Sequence, residues 1–232
     1  MRIDLDGVRA VVLPGTGSDD SYITRAFGDP LRTAGAQLIA PRPQPDRLIA
    51  GYLDDLDDAA RGAPILVGGV SIGAAVSLAW ALQHPEHTVA VLAALPAWTG
   101  PPDGATAAIA AQVSARQLRH DGLDDTTAQM RATSPPWLAD ELARSWRGQW
   151  PHLPAAMEEA AGYVAPTETE LRRLAVPLGV AAAEDDPIHP VDVGRRWAAA
   201  APRGALRTVT LDQIGADASA LGAACLAALR SV

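Results

Sequence analysis

The sequence predicts an α/β fold, a mostly parallel sheet with helices on both faces and a helical insertion late in the chain. Three observations carry this. Short apolar runs alternate with longer helical patterns, as in sheets buried on both sides. One run leads directly into a glycine-flanked serine and then a helix, a strand–turn–helix order. The stretch 98–173 breaks the alternation, with helical segments between proline-rich joints and no strand pattern.

Taken in order, the runs expected to be strands are 8–13, 37–40, 65–69, 89–94, 178–182 and 206–211, each rich in Val, Ile, Leu or Ala. Helical periodicity is expected over 20–34, 46–61, 72–84, 191–201 and 215–230. Residues 1–97 and 174–232 would form the core, and 98–173 a cap over the C-terminal edge of the sheet, where ligands bind in such architectures. The insertion holds four of the six tryptophans, Trp98, Trp137, Trp146 and Trp150.

Composition narrows the class. At 232 residues and 48% hydrophobic, the chain can bury one sizeable core. Net charge is −8 and there is no lysine, so no basic stripe is available for nucleic acid or an anionic membrane. Abundant Ala and Arg without Lys reads as a GC-rich bacterial coding bias. The N-terminus lacks a long apolar region and no run is long enough to span a bilayer, so a cytoplasmic protein is expected. The single cysteine, Cys225, falls in the last helical pattern and is expected to be a small buried residue. No His/Cys ligand spacing and no phosphate loop is present, so neither metal nor organic cofactor is expected.

The chemistry points to Gly69-Val70-Ser71-Ile72-Gly73. A serine on so tight a turn needs neighbours without side chains. Its hydroxyl would project from the sheet edge, beside a helix N-terminus whose free Ile72 N–H and dipole favour an oxyanion. The first strand ends in a second glycine-rich turn, Leu13-Pro14-Gly15-Thr16-Gly17-Ser18.

Together with the loop Glu184-Asp185-Asp186-Pro187-Ile188-His189-Pro190, these motifs resemble the α/β-hydrolase superfamily over nearly the whole chain. The resemblance implies that Thr16 supplies the second oxyanion N–H, with Pro14 standing where a histidine is common. It implies that Asp186, or its neighbour Asp185, is the triad acid. The family's histidine would follow the last strand, and there the sequence reads Gly215-Ala216-Asp217. No histidine lies beyond His189.

His189 sits three residues after Asp186, on a loop expected to converge on the serine. The expectation is therefore a rearranged triad: Ser71 as nucleophile, His189 as base, and Asp186 or Asp217 orienting the imidazole. Roles in such triads follow geometry rather than chain order. His84, His87, His120 and His152 are expected at the surface.

In the insertion, Trp137, Leu138, Leu142 and Trp146 recur at helical spacing. With Gly15 and Trp98 they are candidates to line an apolar pocket, while Asp140, Glu141 and Arg144 are expected to face solvent. The leading function is hydrolysis of a carboxylic ester or thioester with an apolar acyl group. Two alternatives are a non-catalytic protein holding a small apolar ligand and a cofactor-free, non-hydrolytic enzyme on the same fold. The sequence leaves the oligomeric state open.

Overall fold

The computed structural model describes residues 3–232. Six parallel strands form one sheet in the order β2-β1-β3-β4-β5-β6: β1 Arg9–Leu13, β2 Gln37–Ile39, β3 Ile65–Val70, β4 Thr88–Ala94, β5 Leu178–Ala183 and β6 Gly204–Val209. The first three helices of the core are α1 Asp20–Thr33, α2 Leu48–Ala60 and α3 Ile72–Gln83. Between β4 and β5 run α4 Thr106–Thr133, α5 Pro136–Gln149, α6 Leu153–Ala161 and α7 Glu168–Leu171. Then come α8 Val191–Ala200, α9 Leu211–Ala216 and α10 Ser219–Leu229.

Strand alternation sorts the core into two layers. Val11, Leu13, Ile65, Val67, Val91 and Val180 pack against α2, α3 and α8. The intervening Ala10, Val12, Leu66, Leu92 and Ala181 pack against α1 and α10 on the other face. Both faces are buried, which is why strands of Val, Leu and Ala serve without polar alternation. Cys225 is fully buried among α10 neighbours.

The end of the chain departs from its expected pattern. β6 begins two residues early and stops at Val209. Thr210 then caps α9: its hydroxyl accepts from Gln213 N–H at 3.2 Å, and the Gln213 side chain accepts from Thr210 N–H at 3.0 Å. This reciprocal cap starts a helix where a strand end was expected. The expected long last helix is split, because Asp217 is extended and its carboxylate takes the Ser219 N–H and hydroxyl at 2.9 and 2.8 Å.

In the insertion, α4 breaks at Gly122, which has φ +83°. Its two arms and α5 and α6 enclose a small core of Ala115, Leu118, Trp146, Leu153 and Met157. Among the described residues, no helix is long and apolar enough to cross a membrane.

Two glycines test this packing in opposite directions. A Cβ on Gly222 of α10 would run into the Ala26 carbonyl of α1, so Gly222→Ala should lower unfolding free energy by about 1–3 kcal/mol. A Cβ on Gly28, inside α1, would meet nothing nearer than Leu38 Cδ2 at 3.9 Å. Gly28→Ala should raise stability by about 0.5–1 kcal/mol. Urea denaturation of both variants measures the two signs.

Candidate active site

The serine turn is shaped by a crossing of backbones. A Cβ on Gly69 would collide with the Gly73 carbonyl carbon, and one on Gly73 with the Leu13 carbonyl oxygen. β3 can therefore pass straight into α3 only with glycine at both positions. Ser71 between them has φ 54° and ψ −114°, a strained conformation for a residue with a side chain. Its N–H is anchored to the Ala94 carbonyl of β4 at 2.9 Å. Ser71 is 8% exposed.

The loop after β5 supplies the partners. Asp186 Oδ1 accepts from the Ile188 and His189 N–H groups at 2.8 and 3.2 Å, folding residues 186–189 into a turn around the carboxylate. Asp186 Oδ2 lies 2.7 Å from His189 Nδ1, and His189 Nε2 lies 3.0 Å from Ser71 Oγ. With Nδ1–H donating to the carboxylate, Nε2 accepts the serine O–H. Burial pushes the Asp186 carboxyl up. The His189 hydrogen bond and charge and the two amides outweigh it, holding Asp186 below the ordinary carboxylate value.

The turn that carries Thr16 lies against the elbow, where a Cβ on Gly15 would sit 3.6 Å from Ser71 Cβ. Ile72 N–H is the first of α3 and has no intrahelical acceptor. Thr16 lies in the turn closed by Ser18 N–H to Gly15 O at 3.0 Å, with Gly17 at φ +71° as a type II turn requires. Among the described residues, no backbone carbonyl accepts from the Thr16 amide.

A cavity of about 700 Å³ adjoins Ser71, Asp186 and His189. Gly15, Thr16, Trp98, Trp137 and Trp146 all line it, with Leu138 and Leu142. Among the described residues, no arginine lines it. Sequence reasoning missed Tyr22, Leu95 and the inner face of α4, where Ala107, Ala110, Ala111, Ser114 and Gln117 follow helical spacing. It also placed Glu141 in solvent with Asp140 and Arg144, and only the latter two are exposed. Glu141, one turn beyond Trp137, faces the cavity and pairs with Arg25 at 2.5 Å and Arg144 at 2.7 Å. That i, i+4 relation to Trp137 was the available signal.

Two carboxylates are not brought to the imidazole. Asp217 is committed to Ser219 and lies with Ala216 in a separate surface groove of about 1190 Å³, so it does not orient His189. Asp185 Oδ1 instead accepts from Leu211 N–H at 2.8 Å, fixing the start of α9. Trp137 borders both spaces and packs on Gly215, where a Cβ would lie 2.6 Å from Trp137 Nε1.

The Asp186 contacts carry a pH signature. Because folding lowers its pKa, the stabilisation is complete above the unfolded value of about 3.9 and is lost as pH falls through the lower folded value. The stability gap between wild type and Asp186→Asn should therefore be constant near neutrality and shrink in acid. Denaturant melts across pH check this; a gap that widens in acid would contradict it.

No protein-family model matches the chain, and no curated protein matches it in sequence. Solved structures do match in shape. MenH from S. aureus superposes with a TM-score of 0.75 at 15% identity, covering 100% of this chain and 97% of that one. Rv0554 from Mycobacterium tuberculosis gives 0.71 at 20% identity, over 97% and 91% of the two chains. A thermophilic esterase from Thermogutta terrifontis gives 0.68 at 16% identity, over 88% and 82%. The elbow, the sheet order and these superpositions agree: the chain has the α/β-hydrolase fold.

Proposed function

We propose that the protein is a serine hydrolase acting on a carboxylic ester or thioester with an uncharged, largely apolar acyl group. The supporting observation is the continuous hydrogen-bonded chain Ser71 Oγ, His189 Nε2, His189 Nδ1, Asp186 Oδ2 at 3.0 and 2.7 Å.

In this reading Ser71 attacks the acyl carbon as His189 Nε2 takes its proton, forming the C–O bond to the acyl group. The negative charge moves to the former carbonyl oxygen, held by the Ile72 and Thr16 amides. Collapse breaks the bond to the alcohol or thiol, which leaves with the proton from His189. Water activated by the same imidazole then releases the acid and restores the serine. Asp186 holds the imidazole in the required tautomer.

The cavity supports an uncharged acyl part. Its wall is rich in Ala, Leu, Met and Trp, and among the described residues no arginine lines it to balance an anion. Its one carboxylate apart from Asp186, Glu141, is already paired with two arginines. The rival ligand-binding reading rested on Ala216 in the histidine position, and an imidazole beside Ser71 weakens that ground.

A fluorophosphonate probe should label wild type and leave Ser71→Ala unlabelled. His189→Ala should lower kcat on a p-nitrophenyl ester by at least about 10³-fold. Absence of labelling in wild type would sink the hydrolase reading in favour of ligand binding.

Adding Ala216→His to His189→Ala should restore nothing, because residue 216 faces the outer groove bordered by Trp137. Recovery of turnover in that double variant would place the base at 216.

A further inference from the structure

The turn that presents Thr16 is gripped from two sides. From the sheet side, Tyr52, itself fully buried, donates its hydroxyl to the Pro14 carbonyl at 3.1 Å, and Gly73 packs beneath Leu13 and Pro14. The other grip comes from α5, in the insertion. Gln149, 6% exposed, donates through Nε2 to the Ser18 carbonyl at 2.9 Å and to Ser145 Oγ at 2.8 Å. Trp146 covers Gly17 so closely that a Cβ there would lie 2.7 Å from the indole nitrogen. Arg144 pairs with Asp19, whose other role is to cap α1 by accepting from Tyr22 N–H at 3.0 Å.

The last turns of one cap helix thus hold three consecutive residues of the core: Gly17, Ser18 and Asp19. We infer that Gln149, Trp146 and Arg144 are positioning residues for the Thr16 amide, so that α5 together with the sheet sets the oxyanion-binding turn. The physical ground is that a four-residue turn has one internal hydrogen bond, Ser18 N–H to Gly15 O. The direction of its free amide then depends on what fixes its ends. Gln149 is well suited to this: it is buried, and both its N–H bonds are spent on orientation. Trp146 excludes the space into which Gly17 would swing. The catalytic consequence of this grip rests on the hydrolase reading above; the grip itself does not.

The test combines a structural and a kinetic readout on the full-length protein. Amide hydrogen exchange of residues 13–19 is measured in wild type, Gln149→Ala and Arg144→Gln, with Arg131→Ala as control. Arg131 also ties α5 to another element, through Asp140 at 2.8 Å, but touches nothing in the turn. The same proteins are assayed for p-nitrophenyl hexanoate turnover and phenylboronic acid affinity.

Gln149→Ala should speed exchange in the turn about tenfold and lower kcat by about 10- to 100-fold with KM within about twofold. Boronate affinity should fall in step with kcat. Arg144→Gln, a change at a half-exposed side chain that leaves the core intact, should move the same quantities in the same direction by less. Arg131→Ala should move none of them.

Unchanged exchange in both Gln149→Ala and Arg144→Gln overturns the inference, whatever the protein catalyses. Faster exchange with kcat and boronate affinity intact in an active enzyme also overturns it, reducing these contacts to packing. Faster exchange in a protein that neither turns over ester nor takes the fluorophosphonate label upholds the grip and removes the hydrolase reading alone. Should Gln149→Ala fail to fold, Arg144→Gln decides the question by the same readouts.

Discussion

The sheet edge that carries the proposed site depends on the close crossing of β3 and α3. Glycine at 69 and 73 lets two backbones approach where any side chain would collide. That approach forces Ser71 into its positive-φ conformation and lifts the hydroxyl off the sheet. The same contact presses Gly73 against the Leu13 and Pro14 carbonyls, so the elbow and the adjacent turn share one steric constraint. Strain at Ser71, of order 1–3 kcal/mol for such a conformation, is tolerated because β3 is wholly and β4 almost wholly buried and the Ala94 carbonyl ties the elbow down.

Around this rigid centre the polar groups are held by short-range bonding. Asp186 gathers two amides and an imidazole within four residues, which sets its charge and its geometry at once. The wall above is largely apolar, and Glu141, its carboxylate besides Asp186 among the described residues, is paired with Arg25 and Arg144.

Much of this was legible in the sequence, for identifiable reasons. Strands buried on both faces leave uninterrupted apolar runs, and a crossing that admits only glycine leaves Gly69 and Gly73 as its imprint. The pairing of His189 with Asp186 was visible as an i, i+3 spacing around Pro187. Other features were not. Gly204 opens β6 because the chain there presses on the Ala198 carbonyl, a tertiary contact without local signal. Asp217 looked available because its partner Ser219 is just as ordinary a neighbour. Glu141 looked solvated because its two arginines lie 116 and 3 residues away.

Placing imidazole and carboxylate on one turn has an architectural consequence. The proposed nucleophile, base and acid hang from two strand ends, those of β3 and β5, with β4 as the spacer between them. The edge strand β6 and everything after it carry none of the reacting groups. They brace the loop that does: Glu184 N–H donates to the Val209 carbonyl at 2.9 Å and Asp185 Oδ1 accepts from Leu211 N–H at 2.8 Å, just ahead of Asp186 and His189. A triad with two anchorage points has one fewer relative displacement to control, and the C-terminal segment serves it by support and by the Leu211 wall of the cavity rather than by a reacting group.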